Sequence, residues 1–333
     1  MSASTSAPRI RAILSSTWFR LAARSLVGIV VLVAVIAQVG SGPFLEGLAG
    51  IDLRVIALAL ALSFVATVAA AWRWSIIAGR LGVGLPLRQA VGLYYRSQFF
   101  NTVLPGGVVG DVQRAVTQGR DAGNVAQGAR AVVIERTMGQ VVQIVIAVVV
   151  LAAFGLEFEG YVLPALGIVL AVIALAVFVT TATSARARRA LRRELGELSA
   201  GVGSPGAFVR VVAASILVVG CHVATLGIAV AAVGASVPPL RLAALALVIL
   251  LAASIPFNVG GWGPREGIAG WTFAVAGLGA ATGVAASALF GVLAMIAVAP
   301  GLVLAVASAV RRTRTPEPAS AVELAGARGR VDS

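Results

Sequence analysis

The stretch Gln98 to Arg114, QFFNTVLPGGVVGDVQR, limits the fold more than any other. It lies among apolar segments, yet it carries Asn101, a Pro105-Gly106-Gly107 break, Gly110, Asp111 and Arg114. Proline removes a backbone donor and paired glycines favour turn geometry, so one continuous helix through this point is not expected. Broken backbone at membrane depth persists only where protein or a water-lined cavity satisfies its polar groups. The stretch therefore reads as a candidate binding site within a membrane protein.

The surroundings support that class. Of 333 residues, 59% are hydrophobic and 12% charged, which fits a polytopic helical membrane protein rather than a soluble domain. All 26 basic residues are arginine and the net charge is +13. The arginines sit between apolar segments and at the chain ends, the pattern of basic cytoplasmic loops, so no nucleic-acid partner is expected. Cys221 and His222 are the sole cysteine and histidine, which excludes an internal disulfide and a Cys/His metal cluster. No cofactor is expected.

In chain order, residues 1–20 form a basic cytoplasmic N-terminus. An apolar run through Val39 follows. A secretory signal competes with a retained first helix from about Leu21, and the symmetry described below favours the helix. Helix two is expected from about Val55 to Ile77, with Trp72 and Trp74 beside Arg73 as interfacial anchors and Arg73, Arg80 and Arg88 marking the inside. Residues 90–118 read as a re-entrant hairpin, because Asp111, Gln113, Arg114 and Gln118 are too polar for a lipid-facing span. Tyr94, Tyr95 and Arg96 read as anchors on its first arm. Helix three is expected from Ile134 to Ala153, containing Glu135 and Arg136, and helix four from about Tyr161 to Thr180. Residues 184–206 form a basic cytoplasmic loop with a short helix, whose Arg186 to Arg193 are expected to meet anionic headgroups. Helix five spans about Val209 to Val233. A second broken region covers residues 242–278 and contains Pro256, Asn258, Gly260, Gly261, Arg265 and Glu266. The last helix runs from about Ala280 to Val310 with a bend expected at Pro300. A tail at 311–333 is expected to be disordered.

Two repeats emerge, 21–154 and 155–310, each reading helix, helix, broken hairpin, helix. By arginine placement they have opposite orientation, with both termini cytoplasmic. Broken segments at corresponding positions of an inverted repeat point to a midplane site. Each second arm starts a helix whose free N–H groups and positive dipole end suit a phosphate or carboxylate. Pro264 suits a first helical position, and Glu266 is placed to reach back as a cap. Asp111 and Arg114 share one helix face. Since sequence neighbours point apart on a helix, Glu135-Arg136 and Arg265-Glu266 are each expected to pair with other elements, for example as Asp111–Arg136 and Glu266–Arg114. His222 reads as a packed polar residue in preference to a proton carrier. Trp262 and Trp271 could stack on a sugar or mark an interface.

At FFNTVLPGGVVGDVQR, IERTMGQ and SIPFNVGGWGPREG the chain resembles the lysylphosphatidylglycerol synthase transmembrane family, a flippase-like group that includes the membrane half of the multiple peptide resistance factors. The resemblance covers roughly residues 20–310. It implies handling or translocation of charged or glycosylated lipids. It also assigns Asn101, Pro105, Gly106, Gly107, Gly110, Asp111, Arg114, Glu135, Arg136, Pro256, Gly260, Gly261, Arg265 and Glu266 to the shared motifs. Pro264 stands where an apolar residue is expected. The resistance factors carry a soluble aminoacyl-transferase domain after the membrane part; here a short tail follows, so lipid aminoacylation is not implied. With no nucleophile–base pair in view, the expectation is a non-enzymatic protein of the cell membrane that handles a phospholipid or polyprenyl-linked glycolipid. Alternatives are a transporter of a small anionic solute and a scaffold for an envelope-lipid enzyme.

Overall fold

The structure, a computed structural model, describes residues 51–104, 107–154, 159–254 and 263–314, together with residues 33, 42 and 45. The expected first helix (Val33 apart), the tail beyond 314, and the site residues Pro105, Gly106, Asn258, Gly260 and Gly261 lie outside the described residues. So do Pro256 and Trp262.

Every described element is α-helical. Helix α1 (Leu53–Arg80) starts where Asp52 accepts from the Val55 N–H at 2.7 Å. A polar hairpin follows, α2 (Leu87–Val103) and α3 (Val109–Asp121). Helix α4 (Val125–Phe154) begins nine residues before the expected Ile134, because Asn124 caps it at the Gln127 N–H. Its polar first turns are also satisfied sideways: Gln127 donates to Glu197 at 2.8 Å and Arg130 lies 3.4 Å from Glu194. Those acids belong to α6 (Ala185–Val202), which follows α5 (Glu159–Thr183) after the cap Ser184. Next come α7 (Pro205–Ala232), capped by Ser204, then α8 (Pro239–Ala253) and α9 (Pro264–Val275). The final pair is α10 (Ala280–Ala297) and α11 (Ala299–Arg314). The break at Val298 falls two residues before Pro300, which sits in the first turn of α11, the one helical location where its missing N–H is harmless.

Among the described residues, five helical stretches are long and apolar enough to cross a membrane: α1, α4, α5, α7 and the α10–α11 pair through Ser308. The chain is an all-α polytopic membrane protein. Helix α5 is apolar all round and almost wholly exposed, as a lipid-facing helix is. By contrast α8 has 15 residues and α9 has 12, so at about 1.5 Å per residue each falls short of a bilayer core of about 30 Å.

Two apolar cores organise the bundle. One gathers Trp74, Ile77, Leu93, Ala115 and Ile134, where α1 ends and α2, α4 and α7 begin. The other gathers Ala59, Leu151, Leu226, Leu245 and Phe273, where α1 begins and α4 and α7 end. Helices α1 and α7 therefore run antiparallel between the cores, and they form the most extensive helix contact among the described residues. The packing also matches between the halves. Helix α3 packs on α2 and α4 as α9 packs on α8 and α10, and α4 meets α8 as α11 meets α2.

Within the first hairpin the arms pack tightly. A Cβ on Gly110 would lie 1.9 Å from the Ser97 carbonyl oxygen. Backbone cannot step aside as a flexible side chain does, so Gly110→Ala is expected to cost about 1–3 kcal/mol through overpacking. Thermal unfolding in detergent should show a clear drop in midpoint; a wild-type midpoint would mean that the arms do not approach this closely.

Candidate functional site

The site is assembled from ion pairs that link the first hairpin to the long helices. Asn101 near the end of α2 accepts from the Gly110 N–H at 2.7 Å, holding the first turn of α3 where backbone donors are unmatched. The Nδ2 of Asn101 is buried without a hydrogen-bond partner. On α3, Asp111 Oδ1 accepts from the Ser97 hydroxyl and from Arg114 Nε, both at 3.0 Å. Arg114 Nη2 donates to Glu135 Oε2 at 2.7 Å, and its guanidinium lies 4.6 Å and 4.5 Å from the ring centres of Trp74 and Tyr94. Two aromatic faces thus cover a cation that has no access to water.

Glu135 has 0% exposure and is the hub. Its Oε1 accepts from Arg73 Nε at 3.0 Å, from Arg73 Nη2, and from the Tyr94 hydroxyl at 3.2 Å. Arg73 Nη1 continues to the Ser215 hydroxyl on α7 at 2.9 Å. Gly139, one turn after Glu135, leaves the room this guanidinium needs: a Cβ there would come within 2.8 Å of Nη1 and Nη2. Arg136 points the other way and meets Asp111 Oδ2 at 2.5 Å. One network of ion pairs and hydrogen bonds therefore joins α1, α2, α3, α4 and α7.

The second half carries a smaller unit. Glu266 Oε2 accepts from the Gly263 N–H at 2.7 Å, which caps α9 as expected, and the helix begins at Pro264. Glu266 Oε1 meets Arg265 Nε at 2.9 Å and Nη2 at 2.5 Å, and Ser287 on α10 bridges the two at 3.0 and 3.2 Å. Arg265 also lies 5.4 Å from the centre of the Phe290 ring.

These contacts correct several expectations. Asp111–Arg136 forms, but Glu266–Arg114 does not; Arg114 is taken by Asp111 and Glu135. Arg265 and Glu266 pair with each other, because in the first turn the Glu266 side chain folds back to cap and the long Arg265 side chain follows it. Arg73 and Trp74 are not interfacial anchors: they are 5% and 0% exposed, and α1 continues for seven residues past Arg73 to Arg80. Tyr94 and Tyr95 are buried as well. Sequence reasoning therefore missed Arg73, Trp74, Tyr94 and Ser215. The apolar Ile76-Ile77-Ala78 after Arg73, part of it already within the expected helix, was the available signal that Arg73 lies inside the helix and not at its end.

Beside this network lies a cavity of about 400 Å³. Three arginines line it from three helices: Arg73 of α1, Arg136 of α4 and Arg265 of α9. Gln98, Asn101, Thr102 and Gly107 line it from the first hairpin, and Gln140 and Gln143 from α4. Gln140 donates to the Ser254 hydroxyl at 3.2 Å, so the end of α8 closes onto α4 at its rim. Small apolar residues, among them Ala66, Val219, Gly291 and Ala294, complete the wall. Among the described residues, no carboxylate lines it. Asp111, Glu135 and Glu266 stand behind the arginines, which they hold in place. Arg73, Arg114, Arg136 and Arg265 against those three acids leave one net positive charge, for which an anion is the natural complement. The described site residues thus divide. Asn101, Gly107, Arg136 and Arg265 face the cavity, while Gly110, Asp111, Arg114, Glu135 and Glu266 build the frame behind it.

Fold and site together define a polytopic helical membrane protein with two broken helix pairs around an arginine-lined cavity. A family model described as the lysylphosphatidylglycerol synthase TM region matches residues 21–301, and the chain belongs to that family. No curated protein and no solved structure matches it.

Proposed function

We propose that this protein translocates a lipid with an anionic headgroup, a phospholipid or a polyprenyl-linked glycolipid, across the cell membrane without chemical change. One observation carries the reading: three arginines, from α1, α4 and α9, line a single cavity, and their carboxylate partners are not among its described lining residues. A volume of about 400 Å³ suits a headgroup and leaves the acyl or prenyl chains in the bilayer. The carboxamides and hydroxyls of Gln98, Gln140, Gln143 and Thr102 supply hydrogen bonds to the phosphate ester or to headgroup hydroxyls.

Alternating access follows from an inverted repeat, in which α1, α2, α3 and α4 correspond to α7, α8, α9 and the α10–α11 pair. Supporting it are the matched packing of the two halves, the antiparallel α1 and α7, and hairpin open ends tied in the same way. Gln89 reaches Asp121 at 3.3 Å across one open end, and Arg241 reaches the Ala276 carbonyl at 2.6 Å across the other. These open ends lie against opposite cores, as two re-entrant hairpins entering from opposite faces require. In this reading the termini lie on the cytoplasmic side by the arginine pattern, and the five arginines of α6 rest on anionic headgroups while Glu194 and Glu197 pair with Arg130.

The test is transbilayer movement of fluorescent phosphatidylglycerol in proteoliposomes. Wild type is expected to exceed empty liposomes clearly, and Arg265→Ala to fall to near the empty-liposome rate. Equal rates in all three would overturn the reading, and movement of soluble glycerol phosphate instead of lipid would replace it with a solute transporter.

A further inference from the structure

His222 is the single histidine of the chain and sits on α7. Its Nδ1 lies 2.9 Å from the Val218 carbonyl oxygen one turn earlier. A carbonyl only accepts, so Nδ1 carries a hydrogen and Nε2 is the nitrogen that gains or loses the exchangeable proton. The ring lines the arginine cavity and also a second, smaller chamber of about 70 Å³ that adjoins it. That chamber is lined by the hydroxyl-bearing Ser63, Thr67 and Thr225 and by Gln98. Since a water needs about 10–15 Å³ of such volume and a few polar partners, the chamber is large enough to hold water. His222 thus stands in the wall shared by the arginine-lined cavity and a smaller, part-polar chamber.

The charged and titratable residues that share its cavity come from several helices. Helix α1 presents Arg73, α4 Arg136 and α9 Arg265, while α2 presents the Tyr94 phenol. Helices α8, α10 and α11 contribute no titratable residue to either chamber, and Cys221 beside it on α7 is buried. Among the described residues no Asp or Glu lines either chamber. An imidazolium at this point shares its cavity lining with arginines, whose carboxylate partners do not line it. The counter-charge has to come from whatever anion enters.

We infer that His222 binds a proton together with the anionic headgroup, so that filling the cavity and protonating Nε2 are one coupled event. This rests on the headgroup reading above and adds the coupling ion to it. The proton passes from water to Nε2 as the anion arrives and returns to water when it leaves; no covalent bond to the lipid is made. By reciprocity, if the anion favours the protonated ring, protons favour the bound anion by the same factor.

A lone histidine makes the test direct. Protein labelled with ¹⁵N-histidine, purified without a histidine tag, gives one imidazole to follow at fixed pH near neutrality. Adding short-chain phosphatidylglycerol, with inorganic phosphate in a parallel sample, is expected to convert its unequal pair of nitrogen signals to the near-equal pair of an imidazolium. Phosphatidylglycerol affinity should weaken as pH rises from about 5 to about 8, by up to tenfold per unit, whereas His222→Gln should bind with little dependence on pH. A response to phosphate as large as to the lipid marks the phosphate group as what is sensed. If phosphatidylglycerol binds wild type and the imidazole signals do not change, the coupling is wrong and the headgroup site stands. If it binds neither wild type nor Arg265→Ala, both readings fall.

Discussion

Glu135→Ala is expected to cost about 3–5 kcal/mol, enough to stop the protein accumulating in the membrane, because it strands two buried guanidinium groups at once. Arg73 and Arg114 reach opposite oxygens of this one carboxylate, and neither can turn to water: they are 5% and 0% exposed. Asp111 continues to hold Arg114 from below, but after the change Arg73 keeps only the Ser215 hydroxyl among the partners seen here. Glu135→Gln retains the shape and one acceptor while removing the charge, so its loss should be smaller than that of alanine. The measurement is the thermal midpoint in detergent, alongside the amount of folded protein recovered. A Glu135→Ala midpoint within a degree or two of wild type would show that the three charges do not meet as described.

The same hub shows where the sequence was readable and where it was not. Helix existence followed from apolar runs, and α1, α5 and α7 fall within a few residues of their expected limits because lipid-facing periodicity is absent and length alone is decisive. The early start of α4 escaped notice because Gln127 and Arg130 look like loop residues until Glu194 and Glu197 are brought opposite them. Pairing of charges depends on rotamers and on distant helices. A sequence shows that Asp111, Arg114, Glu135 and Arg136 must be neutralised, not which partner each takes. The largest omission, Arg73, came from a sound local rule applied at the wrong depth. Tryptophan beside arginine marks an interface at a helix end, but α1 runs about two more turns beyond it. The buried Trp74 then serves as a wall for Arg114, a role that appears only once α1 and α3 are packed together.

That division between frame and lining predicts where function separates from stability. Arg136 has a side chain 51% exposed, and its pairing with Asp111 is backed up by Ser97 and Arg114. Removing an ion pair this open costs about 1 kcal/mol or less, so Arg136→Ala should unfold close to the wild-type temperature. Its guanidinium nonetheless faces the cavity, where a charge-assisted contact to a phosphate is worth roughly 1.5–3 kcal/mol, or about 10- to 100-fold in rate. Phosphatidylglycerol translocation by Arg136→Ala is therefore expected to fall by that factor with the fold intact. Arg136→Lys should lie between the two, since it keeps the charge and loses the planar fork. Arg114→Ala should behave in the opposite way: its guanidinium is sealed between Trp74, Tyr94 and two carboxylates, does not line the cavity, and its loss should appear first as lost protein. Stability and transport measured on the same preparations decide it. If Arg136→Ala transports at the wild-type rate, the headgroup does not pass through this cavity, and the arginines there are a structural lock between the two halves.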